Sequence, residues 1–294
     1  MENSLENKKN IGLIADEMGD LPEDMVMANE VSIVKFKIDY GELESFPGNV
    51  YQKIREGEKR GLPSLLKTSQ PSINDFLKIF KEKLQNFEKV ICVTFSSKIS
   101  GAYNSAIQAI KFLPATDQKN IYVLDSLQGS GAEGLIILKV AEMIKEAKLK
   151  FEEIIEEIQK NLNNFRLVAT YDKPKWIEAS GRLPKFLPLA LNQAEIRNIK
   201  PIFTIKNGKL SIIGIKKNIN GLGQAIFEEF KKQTTNITTK IKVAINHADN
   251  PEQAERLKGL IKTLPNCEIA YVNLACFTIG SHTGPGTMIL SWQQ

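Results

Sequence analysis

The chain has 294 residues, of which 42% are hydrophobic and 25% charged, a composition typical of a globular protein. That length is comfortable for two domains. The formal net charge is only +5, and lysines alternate with glutamates where helices are expected, so the charge pattern argues against a nucleic-acid-binding protein.

The N-terminal stretch MENSLENKKN carries charges but no apolar segment behind them, so no signal peptide is expected. The most apolar stretch, residues 135–144, is interrupted by Lys139 and is too short to cross a bilayer. The three cysteines, Cys92, Cys267 and Cys276, form no CxxC pair, and such isolated thiols are typical of a reducing compartment. These features predict a cytoplasmic protein without stable membrane insertion.

Short apolar runs alternate with amphipathic segments in the first half of the chain. Residues 11–15, 90–95 and 121–124 are expected to be buried strands, and each is followed by polar or glycine residues. Between the first two strands, Ser72 and Asp75 are expected to cap the start of a helix. Two more helices are expected after the third strand. This alternation predicts a parallel sheet with helices on its faces.

The second half of the chain mixes a hairpin with helices. Asn207-Gly208 lies between two strand-like runs, residues 201–206 and 209–215, which is a strong signal for a two-residue hairpin. A strand, a helix and a further strand are then expected over residues 242–247, 251–264 and 269–279. The pattern predicts an N-terminal α/β domain of residues 1–162 and a C-terminal α+β domain of residues 163–294.

Sequence motifs of several well-known sites are missing or out of context. Residues 129–134, GSGAEG, spell the dinucleotide-binding pattern GxGxxG, but two consecutive helices are expected after it instead of the strand of a compact βαβ unit. We interpret these glycines as easing a strand-to-helix turn, and a nucleotide-binding module stays as a minor alternative. The sequence has no GxxxxGK[ST], no GxSxG and only two histidines, so we expect no P-loop, no hydrolase nucleophile elbow, no metal site and no cofactor.

Four turns in the sequence are rich in hydroxyl groups or other hydrogen-bond donors. They are residues 67–72 (KTSQPS), 96–106 (SSKISGAYNSA), 180–182 (SGR) and 280–286 (GSHTGPG). Each by itself has an ordinary explanation as a helix cap or a turn. Together they offer hydroxyls, backbone N–H groups at helix starts, an imidazole and a guanidinium, a set that suits a carboxylate or a phosphate.

The same segments, in this order, resemble the DegV family, which includes the fatty-acid-binding subunits of bacterial fatty acid kinase. YVLDS at 122–126, NIKPIFTIKNGKL at 198–210 and NHADNPEQAE at 246–255 also match, so the resemblance spans nearly the whole chain. It implies an N-terminal α/β domain with a parallel sheet, a C-terminal α+β domain, and a long-chain fatty acid between them with its acyl chain in an apolar tunnel. It also implies a kinase partner, a separate subunit that brings ATP and phosphorylates the bound carboxylate.

Carried over motif by motif, the resemblance implies a set of residues around the fatty-acid carboxylate. They are Thr68, Ser69, Ser96, Ser97, His282 and Thr283, with Arg182 and Gly284 in support. Ser96 and Ser97 are consecutive, so their side chains should face opposite sides of a strand end, and one of the two is expected to face the ligand. His282 is expected to contact the carboxylate. Around it, Ser281, Thr283, Gly284 and Gly286 are expected to leave backbone N–H groups free to approach the anion.

An enzyme in its own right is the main alternative. Ser97, His282 and Asp125 or Asp16 could form a Ser-His-Asp hydrolase acting on lipid esters, although no nucleophile elbow positions the serine. We favour a non-catalytic protein that binds a long-chain fatty acid and presents it to a kinase partner.

Overall fold

The structure is a computed structural model that describes residues 9–173, 175–182, 199–217 and 221–294. Its strands form two main sheets, a four-stranded parallel sheet in the first half of the chain and a six-stranded mixed sheet in the second. A two-stranded ribbon is separate from both sheets. This arrangement confirms the predicted fold class, a parallel α/β part followed by a mixed α+β part.

Twelve strands and eleven α-helices lie within the described residues. The strands are β1 (Lys9–Asp16), β2 (Val31–Val34), β3 (Lys37–Asp39), β4 (Lys67–Ser69), β5 (Phe87–Thr94), β6 (Ile121–Asp125), β7 (Phe165–Thr170), β8 (Ile199–Lys206), β9 (Lys209–Lys217), β10 (Ile241–His247), β11 (Cys267–Leu274) and β12 (Met288–Gln293). The helices are α1 (Glu23–Ala28), α2 (Val50–Lys59), α3 (Ile73–Asn86), α4 (Ala102–Ile110), α5 (Ala115–Gln118), α6 (Ser130–Glu146), α7 (Phe151–Asn161), α8 (Lys175–Ala179), α9 (Leu222–Thr234), α10 (Pro251–Ile261) and α11 (Phe277–Thr283).

The parallel sheet has the strand order β2-β1-β5-β6. The carboxyl-terminal residues of β1 and β5 are buried without alternation, as expected for strands that helices cover on both faces. The predicted cap is present at the start of α3, which packs on this sheet. The Asp75 N–H donates to Ser72 Oγ at 3.2 Å, and the Ser72 N–H donates to Asp75 Oδ2 at 2.8 Å. The three expected strands and this helix start are confirmed.

The mixed sheet has the strand order β11-β10-β12-β7-β8-β9. Only β10 and β11 are parallel, and all other neighbours are antiparallel. The hairpin between β8 and β9 turns at Asn207 and Gly208, whose φ angles of 50° and 78° are those of a tight two-residue turn. The predicted hairpin is therefore confirmed. Helices α9 and α10 cover one face of this sheet and share a core with Trp292.

Residues 35–72 leave the parallel sheet and reach toward the second half of the chain. Within this segment β3 and β4 form the antiparallel ribbon. On α2, Tyr51 Oη donates to the Ala275 carbonyl at 2.9 Å, and Arg55 forms an ion pair with Asp249 at 2.7 Å. Buried side chains of α2 share a core with Trp176 of α8. The segment therefore carries β4 to a position beside α8 and α11.

Helix α6 begins between the two sheets. A side chain at Gly131 would come within 2.6 Å of Asn246 Oδ1 and 2.8 Å of Ser291 Oγ, both on the mixed sheet. A side chain at Gly134 would come within 2.4 Å of the Gly19 carbonyl. The glycines of the GSGAEG segment therefore permit close packing of α6 between the sheets, in addition to the turn that the sequence indicated.

One predicted strand is partly wrong. The apolar run over residues 269–279 divides in the structure, where β11 ends at Leu274 and α11 begins at Phe277. The run is short and continuously apolar, and such a pattern does not distinguish a buried strand from a buried helix. The histidine segment at 280–286 therefore begins inside the helix α11 instead of after a strand.

The two sheets divide along the chain close to the expected domain boundary. The strands of the parallel sheet end at Asp125 and those of the mixed sheet begin at Phe165, on either side of residue 162, and the boundary itself stays a prediction. None of the described helices is long and apolar enough to span a membrane. Cys92, Cys267 and Cys276 are free thiols, of which Cys92 is buried.

Candidate functional site

A largely apolar cavity lies between the two sheets. Its empty volume is about 970 Å³, with the opening to solvent included. Met18 and Phe95, which follow strands of the parallel sheet, line one side, while Leu167 and Ile289 of the mixed sheet line the other. Ile279 of α11 closes a third side. The walls offer a hydrocarbon chain a place away from water.

Three polar side chains meet at the mouth of this cavity: Thr68, His282 and Arg182. His282 Nε2 lies 2.7 Å from Thr68 Oγ1, and His282 Nδ1 lies 3.3 Å from an Nη nitrogen of Arg182. Because a guanidinium only donates, Nδ1 accepts, and the ring proton belongs on Nε2, from which it is donated to Thr68 Oγ1. The proton of the Thr68 hydroxyl is then free to be donated to a ligand.

His282 is neutral at physiological pH. Burial, followed by the positive charge of Arg182, lowers the pKa of His282 to about 4. The positive charge at the mouth therefore belongs to Arg182, which also donates to the Ser180 carbonyl at 2.6 Å. A hydroxyl donor beside a guanidinium forms a place for an anion that accepts hydrogen bonds, such as a carboxylate.

A different element positions each of these three residues. Thr68 is the central residue of β4, which the antiparallel ribbon holds in place. His282 lies in the last turn of α11, and α11 approaches α2 closely at Gly280, where any side chain would meet the Tyr51 ring at 2.4 Å. Arg182 follows the end of α8. The site therefore depends on three short elements that the fold brings together from distant parts of the chain.

The predicted serines lie elsewhere. Ser96 is fully buried and its Oγ donates to the Gly208 carbonyl at 2.7 Å, while the Ser97 N–H donates to Asp125 Oδ1 at 3.0 Å. Ser69 is exposed, since it alternates with Thr68 along β4. The cavity lining includes none of Ser69, Ser96 and Ser97, so the structure does not bring them together with Thr68 and His282.

Thr283 and Gly284 occupy the end of α11. Thr283 lines the cavity, but its hydroxyl donates to the Ile279 carbonyl at 3.0 Å. The N–H groups of Gly284 and Gly286 donate to the carbonyls of Gly280 and Ala248. The expectation that these two N–H groups are free is therefore wrong, because the end of the helix and the following turn use them.

Several polar lining residues were not singled out from the sequence. Gln70, Ser100 and Ser180 line the mouth. All three belong to the polar segments that the sequence marked, but only the packing decides which side chain faces the cavity. Deeper inside, Ser130 and Thr278 line the wall. The Ser130 hydroxyl donates a hydrogen bond to the buried carboxylate of Asp20, and the Thr278 hydroxyl donates one to the half-buried carboxylate of Glu17.

Neither a hydrolase triad nor a metal cluster is present within the described ranges. His282 bonds Thr68, and His247 Nδ1 accepts the Asn250 N–H at 3.0 Å, so in this part of the chain neither histidine bonds a serine. A His282 ring that donates its proton to Thr68 is not placed to remove a proton from that hydroxyl. No group of three or more His, Cys, Asp or Glu side chains among the described residues could hold a metal ion.

Comparison with known proteins identifies relatives along almost the whole chain. A family model described as "Uncharacterised protein, DegV family" matches residues 10–294. A DegV domain-containing protein of Caldanaerobacter subterraneus is 27% identical over 284 residues, which cover 94% of this chain and 95% of the relative. A fatty acid-binding protein of Thermotoga maritima is 27% identical over 293 residues, which cover 95% of this chain and 96% of the relative.

Solved structures share the fold. A DegV family protein from Thermus thermophilus, described for its fatty acid binding, has a TM-score of 0.84 at 22% identity and covers 97% of this chain and 99% of its own. A stearic acid-binding protein from Eubacterium ventriosum has a TM-score of 0.83 at 23% identity, with coverage of 97% and 98%. Because the family model spans residues 10–294, this chain belongs to the DegV family.

Proposed function

We propose that this chain binds a long-chain fatty acid, with the acyl chain in the cavity between the sheets and the carboxylate at its mouth. The observation that carries the proposal is the mouth itself, where Thr68, His282 and Arg182 meet at the opening of an apolar cavity. The names of the relatives point the same way, since one is a fatty acid-binding protein and another binds stearic acid.

The acyl chain supplies most of the affinity. A long chain has on the order of 15 methylenes, each contributing ~0.8 kcal/mol on burial, and this gross term of roughly 12 kcal/mol exceeds what the headgroup offers. Ordering of the ligand and of the side chains around it reduces the net value. The hydrocarbon walls thus provide the binding energy, and the mouth provides orientation.

The mouth selects a free carboxylate. Thr68 Oγ1 already accepts a hydrogen bond from His282 Nε2–H, so the Thr68 hydroxyl proton is left to act as a donor toward the ligand. Arg182 adds a permanent positive charge. An ester oxygen accepts hydrogen bonds more weakly than a carboxylate and carries no charge, so a free acid is preferred. In this proposal His282 orients Thr68. Ser96 donates to the Gly208 carbonyl, the Ser97 N–H donates to Asp125, and Ser69 is exposed, so none of the three serines is assigned to the ligand.

The finer role that we propose is presentation of the carboxylate to a kinase partner. The chain has no GxxxxGK[ST] motif, so a separate subunit would bring ATP. The carboxylate lies at the open end of the cavity, where a partner has access. Candidate kinase subunits are to be mixed with this protein, oleate and labelled ATP. Label transfer to the lipid that requires both proteins supports the role, and its absence with every candidate contradicts it.

The fatty-acid proposal has a direct test. Protein purified from cells is extracted with solvent, and the extract is analysed by mass spectrometry for free fatty acids. In parallel, oleate or palmitate is added to delipidated protein, and we expect the melting temperature to rise because the ligand binds only the folded state. A clean extract together with an unchanged melting temperature would rule out the proposal.

A further inference from the structure

Asp20 forms hydrogen bonds to four different elements near the cavity. It follows the short 3-10 helix Glu17–Gly19 after β1 and is almost fully buried. Its Oδ2 accepts the hydroxyl of Ser130 at 2.6 Å, and its Oδ1 accepts the Cys276 N–H at 2.6 Å. The Asp20 carbonyl accepts amide protons from Asn246 at 3.2 Å and from Asn273 at 3.0 Å. One residue thus joins α6, α11, β10 and β11.

The Asp20 carboxylate accepts hydrogen bonds from two elements that line the cavity. Ser130 is the first residue of α6 and lines the cavity directly. Cys276 precedes α11, which contributes Thr278, Ile279 and His282 to the lining. Asp20 itself is not part of the lining, so it acts on the cavity only through these neighbours.

The two hydrogen bonds of the Asp20 carboxylate lie at the end of the cavity away from the mouth. His282 is in the last turn of α11, and Cys276 caps the first turn. At 1.5 Å per residue the two are about 9 Å apart along the helix. Ser130 is bonded near the Cys276 end, and so the Asp20 carboxylate sits behind the part of the wall that the inner methylenes of an acyl chain would meet.

We propose that Asp20 is a positioning residue of the fatty-acid site, which holds the first turns of α6 and α11 together and thereby shapes the inner end of the cavity. The inference rests on the proposed fatty-acid binding. It predicts an effect that depends on acyl length, because a long chain reaches the inner end and a short chain does not. A residue that merely stabilised the fold would change the affinity for all chain lengths alike.

Asp20→Ala removes the acceptor from both partners, and Asp20→Asn is the conservative variant. Asparagine keeps an oxygen for the Cys276 N–H, and its NH₂ group can donate to Ser130 Oγ in place of the original bond. We therefore expect Asp20→Asn to retain most of the affinity. Ser130→Ala removes the hydrogen bond between Asp20 and α6 and leaves the bond to Cys276 in place.

The experiment measures the affinities of these variants for octanoate, laurate and palmitate by displacement of a fluorescent fatty acid. Each methylene that loses its contacts lowers the affinity about fourfold. We expect Asp20→Ala to weaken palmitate by roughly fifteenfold more than octanoate, since two methylenes would be affected. Ser130→Ala should also weaken the longer acids more, with a smaller dependence on chain length. The affinities of Asp20→Asn should lie close to those of the wild type. Thr68→Val, at the mouth, is the matched control and should weaken all three acids by one common factor.

The outcomes are distinct. Equal losses across the three acids, or no loss, in both Asp20→Ala and Ser130→Ala overturn the positioning role. If Asp20→Ala does not fold, the length dependence in Ser130→Ala decides the question. If the wild type binds none of the acids, the proposed function fails before the role of Asp20 is reached.

Discussion

His282 uses both of its ring nitrogens on protein neighbours, so we expect it to act on a ligand through Thr68. The Thr68 hydroxyl would form a hydrogen bond to a charged carboxylate, and such bonds contribute ~1.5–3 kcal/mol. We expect Thr68→Val to weaken fatty-acid binding by roughly ten- to a hundredfold, and His282→Ala, which removes a neutral orienting bond of ~1 kcal/mol, by about fivefold. The measurement is a titration of each variant with palmitate.

The double variant decides between an indirect and a direct role of His282. If His282 acts only by orienting Thr68, the double variant Thr68→Val/His282→Ala should bind no more weakly than Thr68→Val alone, because the two changes remove one shared interaction. Additive losses would instead place His282 in contact with the carboxylate. His247 is the control, since it is half-buried outside the cavity and its ring bonds only the Asn250 N–H among the contacts described. His247→Ala should leave the affinity unchanged.

At the scale of the elements, two helix glycines have different surroundings: Gly131 of α6 is tightly packed, and Gly259 of α10 is not. A methyl group at Gly131 would lie 2.6 Å from Asn246 Oδ1 and 3.0 Å from the Ala244 side chain, both of which are buried. Gly259 lies in α10, where such a group would meet no atom within 4 Å beyond its chain neighbours and the helix's own backbone. We expect Gly131→Ala to lower the free energy of unfolding by ~1–3 kcal/mol through overpacking. Gly259→Ala should raise it by ~0.5–1 kcal/mol, because alanine favours a helix.

Urea denaturation of the two variants measures both effects with the same chemical change. A loss at both positions would mean that Gly131 has no special packing role. A gain at both would mean that α6 can move away from the mixed sheet without cost, and the packing between the sheets would then be looser than the structure shows.

The elements that sequence reasoning identified are those with local signals. The Asn207-Gly208 turn and the Ser72 cap depend on residues within a few positions, and both were predicted. The start of α11 at Phe277 was missed because its apolar residues continue the pattern of β11. A helix of seven residues is too short for its periodicity to stand out.

The candidate site shows the same limit more strongly. Thr68 and His282 are separated by 214 residues, and Arg182 and His282 by 100, so no local pattern indicates their contact. The resemblance to a family supplied these residues, but it did not distinguish Thr68 from Ser69, or a cavity-facing serine from Ser96. Those choices follow from the alternation along β4 and from the way in which the β8–β9 hairpin covers Ser96.

At the scale of the whole molecule, a cluster of buried carboxyl groups lies between the two sheets. Asp16, Asp20 and Glu133 are almost fully buried, and no ion pair with a described lysine or arginine involves any of them. Burial raises the pKa of Asp16 to about 6 and that of Asp20 to about 7. Burial and the neighbouring Asp16 raise the pKa of Glu133 well above its usual range.

These raised pKa values make the folded state hold protons that the unfolded chain releases. An aspartate in an unfolded chain titrates near pH 3.8, so the stability that comes from protonated Asp20 is complete below that pH and is lost as the pH rises to about 7. The histidines act in the opposite direction, because burial lowers the pKa values of His282 and His247 and stability then rises with pH up to about 6.5. Wild-type stability alone would mix the two effects.

A comparison of Asp20→Asn with the wild type isolates the carboxyl group, since the histidine contributions cancel. From pH 5 to about pH 6 the wild type should lose stability relative to Asp20→Asn by roughly 1.4 kcal/mol per pH unit; the slope should fall to about half at the pKa of about 7, and the difference should level off near pH 8. Urea denaturation of both proteins at intervals from pH 5 to pH 8 measures this slope. A difference that does not change with pH would show that Asp20 is ionised in the folded protein throughout, and the two hydrogen bonds that join α6 and α11 would then be held by a permanent buried charge.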